Sequence, residues 1–177
     1  MRMMKNRKAQ FFIFTAIILI AYSTLLLSPE NVVPDASGTF RQVYDNFRFE
    51  SSAAINNALF EQVDVPAEYA RFLDSFISYS KMKKTGVEVF SVLEYGDYVY
   101  FTNKMSNPVH ILGINETIAP AASAYFLRSD LPEAVLEVRD DVFHENIYKF
   151  TISGESTDAK AVLRVKKGSK RQIFVLE

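Results

Sequence analysis

The residues most able to do chemistry sit in one short polar stretch. Asp140, Asp141, His144 and Glu145 gather carboxylate oxygens and an imidazole within a few positions. Folded inward, that loop would form an oxygen-rich cation site. A solvated acidic turn explains the same residues more simply, so no metal ligand is assigned. The other histidine, His110, lies in an apolar strand-like run and is expected to hold its ring at the surface. Nucleophilic hydrolysis needs a base paired with an activated Ser, Thr or Cys. The chain has no cysteine, no G-x-S-x-G and no H-E-x-x-H. Glu133 and Glu137 are spaced for acid–base work, yet surface charge accounts for both. With six glycines in all, no phosphate-cradling loop is present. Enzymatic activity is therefore not expected, and no catalytic, cofactor-binding or metal residue is assigned.

Two further motifs carry a chemical reading. Asn115-Glu116-Thr117 is an N-glycosylation sequon, with Asn115 as the acceptor, usable wherever the residue lies outside the cell. Lys166-Lys167-Gly168-Ser169-Lys170-Arg171 concentrates cations, but in a net-acidic domain it reads as a solvated hairpin tip.

Location is dictated by the N-terminus. Residues 11–27, Phe11 to Leu27, contain no charged side chain. As a helix this run would be about 25 Å long, at the short end of what crosses a bilayer. Arg2, Lys5, Arg7 and Lys8 precede it; Glu30 and Asp35 follow. The positive-inside rule then puts the N-terminus in the cytoplasm and everything after Ser28 outside the cell membrane. The run is longer than a usual secretory core, and its small-x-small triplet, Ala21-Tyr22-Ser23, lies inside it. A retained single-pass anchor is expected. The absence of cysteine excludes a lipidated-cysteine anchor and leaves packing, not disulfides, to stabilise the exported part.

Of the 20 Lys and Arg, Arg2, Lys5, Arg7 and Lys8 lie before the apolar run, leaving 16 against 21 Asp and Glu, a net charge of −5. An acidic exported domain does not suit nucleic acid or anionic lipid headgroups as partners. Fifteen Phe and nine Tyr supply a core and exclude disorder.

Along the exported chain, residues 29–38 read as a proline-bearing linker. Thr39 is expected to open a helix, with Gln42 as its capping-box partner. Phe40, Val43, Tyr44, Phe47, Ala54, Ile55, Ala58 and Leu59 recur at helical spacing on one face. A second helix starts near Pro66, with Tyr69, Phe72, Leu73, Phe76 and Ile77 as its apolar stripe. It ends at Lys81, Lys83 and Lys84, with Gly86 just beyond. From Val87 the period changes to two. Strands are expected at 87–92, 98–101, 109–114, 134–138, 147–153, 159–166 and 172–176. In 159–166 the face carrying Lys160, Val162, Arg164 and Lys166 is expected to be wet.

The fold class follows as α+β: a basic cytoplasmic leader (1–9), a transmembrane helix (10–28), a linker (29–38), two amphipathic helices (39–86) and an antiparallel β-sandwich-like or curled-sheet domain (87–177).

Lys8-Ala9 followed by Gln10 and directly by the apolar run resembles the class III signal peptides of archaeal type IV pilin-like proteins. The resemblance covers about the first 27 residues. It implies cleavage between Ala9 and Gln10, and retention of the apolar helix in the membrane or in a filament core. Phe14 stands where bacterial pilins carry a glutamate. The expected function is a membrane-anchored extracytoplasmic structural or interaction protein, in one form a minor pilin-like subunit of a surface filament. The alternative is a bitopic protein whose exported β domain binds a ligand or partner without polymerising, because Pro29, Pro34 and Gly38 break the path between anchor and head. An exported enzyme ranks third.

Overall fold

The computed structural model describes residues 36–131, 135–140, 147–152 and 157–177. Among these residues two helices precede the strands: α1 (Ala36–Glu61) and α2 (Val65–Met82). Nine strands follow: β1 (Gly86–Tyr95), β2 (Tyr98–Asn103), β3 (Val109–Ile111), β4 (Glu116–Ile118), β5 (Ser123–Leu127), β6 (Val135–Asp140), β7 (Ile147–Thr151), β8 (Asp158–Lys167) and β9 (Lys170–Leu176). All ladders are antiparallel. They form a five-stranded sheet in the order β5-β2-β1-β8-β9 and a four-stranded sheet in the order β4-β3-β6-β7. The α+β class with two antiparallel sheets is thus shown. Among the described residues no helix is long and apolar enough to cross a membrane; the expected anchor, 10–28, lies outside them.

Helix α1 is already helical at Ala36, the first described residue, so Thr39 lies inside it and the expected capping box of Thr39 and Gln42 is not a helix start. A single glycine inside a helix costs about 1 kcal/mol relative to alanine, too little for Gly38 to end a 26-residue element. Its core face is Phe40, Phe47, Ile55 and Ala58, while Leu59, at the margin of the stripe, is 41% exposed. Helix α2 starts where its sequence asks. The Asp64 side chain accepts the Ala67 N–H at 3.1 Å as N-cap, and Pro66 sits in the first turn where its missing N–H is no loss.

The five-stranded sheet lies between the helices and the second sheet, and this position explains its composition. One core joins Phe47, Tyr69, Leu73 and Phe76 of the helices to Val87, Val89, Leu93, Ala161, Leu163 and Val165. The other joins Phe90, Val92, Phe101 and Val162 to Val109, Ile111, Val138 and Phe150 of the four-stranded sheet. Strands β1 and β8 are central and covered on both faces, so their burial does not alternate. The expected wet face of β8 is corrected here: Lys160, Val162 and Arg164 are buried against the second sheet, and Lys166 is exposed only at the strand end.

The hairpins β1–β2 and β8–β9 each turn on two residues, Gly96-Asp97 and Gly168-Ser169. Each glycine takes the first central position at a φ of 60° and 61° respectively, as a II′-type hairpin requires. Strand β1 therefore continues through Glu94 and Tyr95, past the end expected at 92. Between β2 and β3 the buried Asn103 acts as a pin. Its Nδ2 donates to the carbonyls of Asn107 (2.8 Å) and Ile118 (2.9 Å), and its Oδ1 accepts the Met105 N–H (2.9 Å). One side chain thereby fixes the connecting loop and β4.

Candidate functional site

Strand register lays three rows of side chains across β1, β2 and β5 on the face that looks toward the helices. Ser91, Thr102 and Ser123 form a row of hydroxyls; Leu93, Tyr100 and Tyr125 form the next; Tyr95, Tyr98 and Leu127 the third. Helices α1 and α2 pack over β1, β8 and β9 but leave the β2–β5 side of this face open. Tyr98, Tyr125 and Leu127 are accordingly 38%, 65% and 42% exposed. The three tyrosines contact one another: Tyr98 meets Tyr125 edge-on at 5.7 Å, and Tyr100 lies tilted beside Tyr125 at 5.8 Å.

The first turns of α2 form the opposite wall. Pro66, Tyr69 and Ala70 face Leu93, Tyr100, Thr102, Ser123, Ala124 and Tyr125 across an open cleft of about 330 Å³. That volume is at the small end of the range for small-molecule sites, roughly 300–1,000 Å³. Ser123 Oγ donates to Thr102 Oγ1 at 3.2 Å. Deeper in, the hydroxyls of Tyr69 and Ser91 are buried near one another, and no third group among the described residues hydrogen-bonds to either. Burial pushes the Tyr69 phenol far above its ordinary range; the nearby Ser91 hydroxyl opposes the shift, and the Asp158 carboxylate adds to it. Tyr100 is also raised, first by desolvation and then by the Asp64 carboxylate and its tyrosine neighbours.

Three other clefts among the described residues are as large. A cleft of about 350 Å³ lies between α1 and α2 beside Glu61, Glu68 and Arg71, and two more differ in lining. One, of about 390 Å³, runs between α1 and the C-terminal end of α2, lined in part by Asn46, Glu50, Tyr79 and Lys83. The other, of about 400 Å³, is basic, with Arg164, Lys166 and Arg171 beside Gly86 and Glu88; there the Arg164 guanidinium donates to Glu88 at 2.5 Å. All three carry charged side chains, whereas the cleft of the tyrosine rows has none.

A seam of charge runs inside the sandwich on the other face of β1. Glu94 is fully buried; Lys160 Nζ reaches its Oε1 at 2.7 Å and Asp158 Oδ2 at 2.9 Å, and Arg128 Nη2 stands 3.6 Å from Glu94 Oε2. Burial works against the Lys160 charge, but its hydrogen bonds to Glu94 and Asp158 and the field of both carboxylates outweigh this and leave its pKa raised. These groups are mutually neutralised and line none of the four clefts.

Of the residues singled out from sequence, Asp141, His144, Glu145, Glu133, Ala9 and Gln10 lie outside the described residues, and Asp140 is the last residue of β6. Among the described residues no group of three or more His, Cys, Asp or Glu is placed to hold a metal. His110 is half-buried with its Nδ1 2.7 Å from Thr117 Oγ1. Asn115 is exposed in the β3–β4 turn at a φ of 53°. Glu137 is paired across strands with Lys149 at 2.8 Å. The 166–171 cations do form the β8–β9 hairpin. The tyrosine face was missed. Tyr98 and Tyr100 read as alternate residues of one strand, but Tyr125 belongs to β5, whose sequence SAYFL sits between Ala-rich and polar segments and gave no strand signal.

No protein family model, curated protein or solved structure matches the chain.

Proposed function

We propose that the protein is a membrane-anchored extracytoplasmic interaction protein. Its anchor is the apolar run Phe11–Leu27, and its head binds a ligand or partner through the face of Tyr98, Tyr100 and Tyr125. The observation that carries the binding part is the open cleft between that face and the start of α2, where aromatic surface stays uncovered on a sheet whose central strands are packed on both sides. Exposed aromatic clusters of this kind mark interaction sites. The anchoring part rests on the uncharged run and the four cations before it. The chain has no cysteine, so a single Ser129→Cys substitution at an exposed position gives a clean topology probe. Labelling by a membrane-impermeant maleimide in intact cells is the expected result. Labelling only after lysis would sink the extracytoplasmic reading.

A second reading, a pilin-like subunit, is favoured by the Lys8-Ala9-Gln10 edge and by α1. Phe49 and Phe60 are 76% and 88% exposed, and their eleven-residue spacing puts them on one outward stripe of the helix. Other copies of the same chain are the partner this reading needs. Intact mass of the membrane-extracted protein should then show loss of residues 1–9, and Phe49→Ser with Phe60→Ser should dissolve any assembly. A full-length N-terminus on a monomer decides for the bitopic binding protein.

A further inference from the structure

We infer that the cleft between the start of α2 and the tyrosine rows binds a neutral sugar ring, either free or as a residue of a glycan. The inference deepens the binding reading above and rests on it. Its chemistry follows from what the cleft offers. No charged side chain lines it. An ionic ligand would leave water there without a counter-charge, and Asp64, near enough to raise Tyr100, further disfavours an anion. A purely apolar ligand would bury the hydroxyls of Ser123 and Thr102 without replacing their water.

The polar groups of the cleft are all hydroxyls, each of which both donates and accepts. Register aligns Ser91, Thr102 and Ser123 in one row, spaced by neighbouring strands about 4.8 Å apart. The row runs from the exposed Ser123 inward to Ser91, where the Tyr69 hydroxyl arrives from α2. Buried polar atoms are normally satisfied, yet Tyr69 and Ser91, both residues at least 98% buried, have at most each other. Beside this row stand the rings of Tyr100 and Tyr125, with Tyr125 largely exposed. A sugar ring fits both halves: its C–H face lies on a tyrosine and its hydroxyl edge faces the hydroxyl row. An extended peptide fits less well. Added along β5, the edge of its sheet among the described strands, a peptide would direct its backbone N–H and C=O groups within the sheet plane and not at the row.

The test uses the full chain in lipid nanodiscs, which avoids glycosidic detergents. Neutral monosaccharides and their oligomers (glucose, galactose, mannose, N-acetylglucosamine) are titrated by saturation-transfer NMR and by intrinsic fluorescence, which comes from tyrosine because the chain has no Trp. At least one neutral saccharide should bind, and uronic acids or sulfated sugars should not compete. Tyr125→Ala, at an exposed position, should weaken binding about tenfold or more, the scale of losing an aromatic contact. Ser123→Ala and Tyr69→Phe should each weaken it by roughly three- to tenfold, the scale of one hydrogen bond. Affinity that rises with oligomer length identifies a polymeric glycan; equal affinity for monomer and oligomer identifies a free sugar. The inference is overturned if no neutral saccharide binds, if Tyr125→Ala binds as the parent does, or if an extended peptide binds with the same residue dependence and saccharides do not. Nanodiscs expose the head whichever way the chain inserts in cells, so a failed topology assay and a failed sugar titration are separate results.

Discussion

The carboxylate of Glu94 and the ammonium of Lys160 meet at 2.7 Å inside the sandwich, with side-chain exposures of 0% and 7%. They come from β1 and β8, strands 66 residues apart in sequence, on the face turned to the second sheet. Removing one partner of a buried ion pair strands the other charge, a loss of about 3–5 kcal/mol. Lys160→Met is therefore expected to destabilise the protein by that amount in urea unfolding. Replacing Glu94 by Met as well should recover part of the loss, because the stranded carboxylate is gone, although Arg128 then loses Glu94 too. A single variant as stable as the parent would show that Arg128 and Asp158 carry the seam without Lys160.

The same pair sets a pH dependence. The folded-state pKa of Lys160 lies above its ordinary value of 10.5. A raised lysine pKa contributes stability that is fully present below the unfolded value and is lost as pH rises through the folded one. Stability should be flat on this account from neutral pH to about 10 and fall above it. Urea midpoints at pH 8, 10 and 11 measure the trend, and Lys160→Met should flatten its share of the fall.

How much of this was legible in the sequence depends on whether a signal was local. Helix α2 is written out by Pro66 and the stripe from Tyr69 to Ile77, and the structure departs from that reading by one or two residues at each end. The β8–β9 hairpin is equally plain, because Gly168 sits between two runs of strand residues. Short strands were harder. β4 and β5 have three and five residues and draw their pairing from β3 and β2, so their own residues hold little pattern. The burial of Lys160 and Arg164 was hidden for a different reason. A lysine–valine–arginine alternation signals a wet face only if nothing covers it, and the cover comes from a separate sheet. The tyrosine cleft inherits both difficulties, since it needs β5 and the place where α2 begins.

Asn103 is a test of the pin between the sheets. Its side chain makes three hydrogen bonds at 2.8–2.9 Å in a fully buried position. Hydrogen bonds contribute about 1 kcal/mol each, and stranded buried partners cost more. Asn103→Ala should lower stability by roughly 2–4 kcal/mol, and hydrogen exchange should speed up first in 104–118, the segment it holds. Asn103→Asp removes both donors while keeping the acceptor, so it should lose protection at Ile118 before Met105.

Tyr69→Phe separates stability from binding at one atom. The Tyr69 hydroxyl is buried with only the Ser91 hydroxyl near it, so its removal returns a desolvation cost and leaves the ring packed in place. The variant should be as stable as the parent or more so, by up to about 1 kcal/mol, at neutral pH. Its advantage should grow in alkali. A phenol whose folded pKa stands above its ordinary value of 10.0 contributes stability below that value and loses it as pH rises toward the folded pKa; phenylalanine has no such loss. Thermal unfolding at pH 8 and pH 11 should therefore show a wider gap between variant and parent at the higher pH. If the hydroxyl serves a ligand, the same substitution must weaken saccharide binding while it strengthens the fold. A variant that is destabilised at neutral pH would mean that Tyr69 holds Ser91 in a hydrogen bond and that the hydroxyl is structural.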